Sequence, residues 1–131
     1  MIVIRIVVKF GGTSIQNPER INEAVQSIAN KINKDMEILV VVSAMGDTTD
    51  RLIFLLSDST KSNFKQKDYA DFISFGERMS AQLFASSLKA NGIKAVAFDP
   101  SKEEFPIITD SDYLEAGILS EQSKRQCRQY L

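Results

Sequence analysis

Hydrophobic residues along the chain follow two different repeats, and the repeats alternate. Ile2 to Val8 is a short run rich in Val and Ile, the pattern of a buried strand. Gly11-Gly12-Thr13-Ser14 breaks it. Asn17-Pro18 then offers a helix start, with Asn as N-cap and Pro at the first helical position. Ile21, Ala24, Val25, Ile28, Ala29 and Ile32 follow at helical spacing and predict one apolar helix face. Glu37 to Val42 predicts a second buried strand. Ser43 to Asp50 reads as a small polar turn, and Arg51 to Leu56 starts another helix. Thr60 to Lys67 is polar and lysine-rich, a solvated connection. Asp68 is placed to cap a long helix running to about Asn91, where Gly92 supplies the stop. Ile93 to Phe98 predicts a third strand, Phe105 to Thr109 a fourth, and Ser120 onward a last helix. This alternation predicts an α/β fold, a three-layer αβα arrangement around a mostly parallel sheet. Residues 1–131 form one domain in this reading. The pattern stops at Tyr130-Leu131 without a C-cap signal, so the expected domain is incomplete, or is completed by a second copy at an exposed sheet edge.

Composition narrows the chemistry. The 131 residues hold 16 Lys and Arg against 17 Asp and Glu, and no His. A net charge of -1 carries no basic footprint for nucleic acid or for an anionic membrane. Without His there is no imidazole base, no Ser-His-Asp triad and no His-ligated zinc. Cys127 stands alone, which excludes an intrachain disulfide and a cysteine metal cluster. Arg5 interrupts the apolar start and no small-residue cleavage site follows, so no signal peptide is expected. No segment reaches the run of ~20 apolar residues that spans a bilayer. The expected location is the cytoplasm.

Four segments carry candidate chemistry. Lys9-Phe10-Gly11-Gly12-Thr13-Ser14 lies between a strand and a helix, the ligand-binding edge of an open α/β sheet. Its glycines let backbone N–H groups approach phosphate oxygens, Lys9 adds a positive charge, and Thr13 and Ser14 add hydroxyls. Neither a Walker A loop nor a GxGxxG fingerprint is present. The plainer reading is a tight turn with a surface lysine. Ser43-Ala44-Met45-Gly46-Asp47-Thr48-Thr49-Asp50 stands in the same relation to the second strand, and the two loops would converge on one crevice. Its plainer reading is helix capping by Thr48 or Thr49. In Gly76-Glu77-Arg78-Met79-Ser80, Glu77 shares a helical stripe with Ile73, Ser80, Phe84 and Leu88. A carboxylate there must be paired, neutralised or turned to a ligand. The plainer reading is a salt bridge to Arg78 or Lys9 beside a packing glycine. Pro106-Ile107-Ile108-Thr109-Asp110 would bring polar groups to the same sheet edge, or simply make a turn. Asp47, Asp50 and Asp110 match no metal loop, and no metal site is assigned.

Taken together and in this order, these segments resemble the N-terminal part of an aspartate kinase. Lys9 to Ser14 matches that family's KFGGTS signature. Ser43-Ala44-Met45-Gly46 with Thr48-Thr49-Asp50 matches its second loop, Gly76-Glu77 with Ser80 its GE-x-x-S helix, and Ile108-Thr109-Asp110 with Ala116 a further block. The resemblance implies phosphoryl transfer from Mg-ATP, as co-substrate, to the side-chain carboxylate of L-aspartate. It implies that Lys9 stabilises the transferring phosphate and that Gly11 and Gly12 present N–H groups to it, with Thr13 and Ser14 in the same loop. It implies that Ser43, Thr49 and Glu77 hold the amino acid, Glu77 through the ammonium group. The nucleotide pocket that the family carries in its second half has no counterpart in this chain, which therefore resembles the aspartate lobe and is expected to be inactive alone. Two alternatives stay open: another enzyme of the amino-acid kinase fold, or a non-catalytic binding or assembly module.

Overall fold

The computed structural model describes residues 3–131, so Ile2, the expected start of the first strand, lies outside the described residues. Two parallel strands form the sheet: β1 (Ile4–Phe10) and β2 (Met36–Val42), paired from Ile4 with Met36 to Phe10 with Val42. Side chains alternate across a strand. One face sends Val8, Phe10, Ile38, Val40 and Val42 against a buried cluster. That cluster holds Ile15, then Ile21, Ala24, Val25 and Ile28 of helix α1 (Pro18–Ala29). Phe84 and Leu88 of helix α4 (Phe75–Ala90) complete it. Burying an aliphatic or aromatic side chain of this size contributes about 1.5–3 kcal/mol each. The Asn17 carboxamide oxygen accepts from the Arg20 N–H at 2.9 Å, the expected cap of α1.

The α/β class is as the pattern predicts, but β1 is not buried on both faces. The second face pairs Arg5 with Glu37, Val7 with Leu39 and Lys9 with Val41, and Val7 is 67% exposed. A run of β-branched residues signals a strand; it does not say how many faces are covered.

Other boundaries shift for local reasons. Helix α2 (Thr48–Thr60) takes in Thr48, Thr49 and Asp50, which the pattern placed in a turn. The long helix expected from Asp68 is two helices, α3 (Gln66–Ile73) and α4. At the junction the Ser74 hydroxyl donates back to the Asp71 carbonyl at 2.7 Å, a local bond that competes with helix continuation. Asp68 sits inside α3 and accepts from the Lys65 N–H at 3.3 Å rather than capping with its own backbone. Gly92 ends α4 with φ of +76°, as predicted.

The expected third and fourth strands form no ladder among the described residues. Ile93 and Ala95 pack on the core while Lys94 and Val96 face out, so the alternation reflects burial without pairing. Residues 105–109 contribute a single antiparallel bridge, Thr109 with Ile118. The Ile108 carbonyl accepts from the Leu119 N–H at 2.8 Å, and helix α5 (Ser120–Tyr130) takes further groups of this segment. The Ser123 hydroxyl accepts from Ile108 N–H at 2.8 Å and donates to its carbonyl at 3.1 Å. The Cys127 thiol donates to the Pro106 carbonyl at 3.5 Å. The Gln126 amide donates to the Glu103 carbonyl.

Candidate functional site

Parallel strands end side by side, and so do the loops that leave them. β1 and β2 finish at Phe10 and Val42, and the Ser43 N–H donates to the Phe10 carbonyl at 3.3 Å. A short 3-10 turn, Gly12–Ile15, carries the chain to α1. The Gly46 N–H donates to the Gly12 carbonyl at 3.0 Å, which ties the second loop to the first. The approach is close enough to exclude a side chain: a Cβ on Gly12 would lie 2.7 Å from the Ala44 carbonyl oxygen. Glycine here is a requirement of space.

The third segment closes on the same loops. A Cβ on Gly76 would lie 2.9 Å from the Ala44 Cβ and 3.5 Å from the Thr48 Cγ2. The first turn of α4 therefore rests on Ala44 and on the start of α2. Next along, the Glu77 carboxylate accepts from the Ala44 N–H at 3.4 Å. Ala44 is the hub of this arrangement, buried between Gly12 and Gly76. The sequence places Ala44 in the second loop but assigns it no role. Its signal would have been the pairing of one small residue after a strand with another at a helix start.

Thus Lys9, Gly11, Gly12, Thr13, Ser14, Ser43, Thr49 and Glu77 belong to three segments that touch one another. Lys9 is exposed and forms no ion pair among the described residues. Glu77 is exposed as well, which corrects the expectation of a carboxylate buried on the apolar stripe: the stripe is buried from Ser80 onward. Nor is Glu77 paired with Arg78 or Lys9. Arg78 pairs instead with Asp99 at 3.0 Å. Among the described residues, the hydroxyls that donate to other protein groups are those of Ser27, Thr60, Ser74, Ser101 and Ser123. Those of Thr13, Ser14, Ser43 and Thr49 donate to no protein group among the described residues. The Ser14 N–H of the 3-10 turn donates to the Gly11 carbonyl at 3.0 Å and the Thr48 N–H of α2 to the Met45 carbonyl at 2.9 Å, and the positive end of each helix favours an anion beside it. One edge of the molecule therefore offers donors for phosphate or carboxylate oxygens and, at Glu77, a carboxylate for a cation.

The fourth segment does not join them. The Asp110 carboxylate accepts from Asp112 N–H at 3.0 Å and Gly117 N–H at 3.1 Å, closing its own loop. It is the turn of the plainer reading. Two concavities lie elsewhere: one of about 600 Å3 along the polar face of α1, and one of about 400 Å3 between α4 and residues 97–99. Among the described residues no three His, Cys, Asp or Glu side chains converge as metal ligands. No helix among them is long and apolar enough to cross a membrane.

Residues 5–131 match the model of the amino acid kinase family. The chain is 37% identical over 117 residues to an aspartokinase of Rickettsia conorii, covering 88% of this chain and 29% of that one. It is 43% identical over 93 residues to an aspartokinase of Geobacillus stearothermophilus, covering 70% and 22%. The crystal structure of an aspartate kinase from Synechocystis superposes with a TM-score of 0.60 at 36% identity, over 66% of this chain and 15% of that chain. The chain thus spans less than a third of the length of these relatives.

Proposed function

The chain belongs to the amino acid kinase family, and on that footing we propose that it carries the amino-acid and phosphate side of an aspartate kinase site. The observation that carries this reading is the hydrogen-bonded junction of Gly12, Ala44, Gly46 and Glu77, which brings three segments to one edge. The N–H groups around Gly11 and Gly12, the Lys9 ammonium and the Thr13 and Ser14 hydroxyls bind phosphoryl oxygens. The Ser43 and Thr49 hydroxyls bind a carboxylate of L-aspartate. Glu77 exchanges its bond to Ala44 N–H for the substrate ammonium. Mg-ATP, as co-substrate, supplies the phosphoryl group; no residue of this chain is assigned to the metal. The acceptor carboxylate is ionised at neutral pH, so no general base is needed and the absence of His is no obstacle. Catalysis then rests on positioning and on charge stabilisation.

The chain by itself produces no aspartyl phosphate in this reading, because the nucleotide is held by parts of the enzyme that lie outside these residues. The enzyme works in the cytoplasm and assembles as a homo-oligomer. Calorimetric titration with L-aspartate tests the site. Wild type should bind aspartate in preference to glutamate or N-acetylglutamate. Glu77→Ala should weaken aspartate by about tenfold or more, the scale of a lost charge-assisted contact, and Lys9→Ala should weaken inorganic phosphate while leaving the fold intact. A chain that binds glutamate better would be a different member of the family. Lys9→Ala and Glu77→Ala variants that unfold would make both residues structural.

A further inference from the structure

Residues 76, 77 and 78 occupy the first turn of α4 and meet three different parts of the molecule. Gly76 meets Ala44 and Thr48, Glu77 meets the Ala44 N–H, and Arg78 meets Asp99. This turn follows the break at Ser74, and first turns fray because their N–H groups lack partners within the helix. Gly76 loosens it further, because glycine has a lower helix propensity than alanine. Something outside the helix has to hold it.

Arg78 is built to do so. Its Nη2 donates to Asp99 Oδ2 at 3.0 Å, with Ser101 Oγ at 3.5 Å. Its guanidinium carbon lies 5.0 Å from the centroid of the Phe75 ring. The other Asp99 oxygen, Oδ1, accepts from Ser101 N–H at 2.9 Å and from its hydroxyl at 2.8 Å. Every partner is fixed by another. The side chains of this pair are 29% and 34% exposed, whereas each partner in the other four ion pairs among the described residues is more than half exposed. Screening and side-chain entropy leave those pairs little effect, and Arg78–Asp99 is the one with a fixed geometry.

We infer that Arg78 is a positioning residue for Glu77: by clamping the first turn of α4 to the 99–101 segment, it fixes the reach of Glu77 to Ala44 and to the substrate ammonium. The inference rests on the functional reading above. It adds residues 99–101 to the determinants of amino-acid affinity.

The test uses the full 131-residue chain and two readouts: the aspartate dissociation constant and hydrogen exchange at the Ala44 amide. Arg78→Ala and Asp99→Asn should each weaken aspartate by about fivefold to tenfold, and the double variant no more than either alone, as expected of residues acting as one unit. Arg78→Lys, which keeps the charge, should recover part of the affinity. Both single variants should speed exchange at Ala44, while phosphate binding stays at the wild-type value. Unchanged aspartate affinity and unchanged Ala44 exchange in Arg78→Ala, with Glu77→Ala still impaired, would overturn the inference. If wild type binds no aspartate, the functional reading fails instead, and the Ala44 exchange still decides whether Arg78 holds Glu77 in place. Should Arg78→Ala fail to fold, Arg78→Lys and Asp99→Asn give the same two readouts.

Discussion

The edge formed by residues 11–14, 43–49 and 76–77 and the stretch from 93 to 119 are held by opposite means. At the first, backbone meets backbone across small residues, and Gly12, Ala44 and Gly76 leave no room for anything larger. Seven consecutive strand pairs lead into it. In the second, one isolated bridge is all the pairing there is, and side chains of α5 supply the partners of the Ile108 N–H and the Pro106 carbonyl. A junction of backbone and small residues leaves no space for a side chain at Gly12 or Gly76 and draws on one polar side chain, that of Glu77. A stretch held by side chains uses up the polar groups it has.

This difference can be broken at single positions. The largest effect is expected for Gly12→Ala, whose new Cβ would press on the backbone oxygen of Ala44. Relief requires the 43–46 loop to move, so a loss of about 2–3 kcal/mol in urea unfolding is expected, together with loss of aspartate and phosphate binding. Ser123→Ala should be milder. It leaves the Ile108 N–H without a partner, a cost of about 1–2 kcal/mol, while the Ile108 carbonyl keeps the Leu119 N–H at 2.8 Å. Faster amide exchange should then appear around residue 108, while β1, β2 and aspartate binding are spared. If Ser123→Ala impaired aspartate binding as Gly12→Ala does, the two regions would not be independent.

The smallest effect is a pH dependence that sharpens the contrast. The Ser101 N–H and hydroxyl, with the Arg78 guanidinium, lower the Asp99 carboxyl from its ordinary 3.8 to about 2. A folded value below the unfolded one means the charged form is favoured by folding. The stabilisation is complete above pH 4 and disappears as the pH falls towards 2. The stability difference between wild type and Asp99→Asn, followed by urea unfolding, should therefore be constant from pH 5 to 7 and shrink below pH 4. A difference that persisted at pH 2 would show that Asp99 acts through packing instead of charge.

How far the fold was legible depends on where each segment finds its partner. The presence and order of β1, α1 and β2 were legible because Ile21 to Ile28 and the two Val-rich runs complete one another within the chain, although β1 extends through Lys9 and Phe10 with one face exposed and α1 stops at Ala29, short of Ile32. Residues 93–98 and 105–109 carry the same kind of pattern, but hydrophobic alternation reports only which side is buried. Whether a neighbouring strand supplies hydrogen bonds is not written in it. The break at Ser74 was hidden for a related reason: Ser is tolerated in helices, and only the geometry shows its hydroxyl turned back to Asp71. At the site, glycines and hydroxyls announced themselves by type and position. The Arg78–Asp99 clamp did not, because two residues 21 apart become partners only after α4 turns back along the core.

The most direct test of the central claim, that three segments form one ligand site, is amide NMR of the chain titrated with L-aspartate and then with inorganic phosphate. If they do, aspartate shifts the amides of Ser43, Ala44, Thr49 and Glu77 together with one common dissociation constant, and phosphate shifts Gly11, Gly12 and Thr13. Separate constants for the 43–49 loop and for Glu77, or shifts confined to the α1 or α4 concavities, would contradict it.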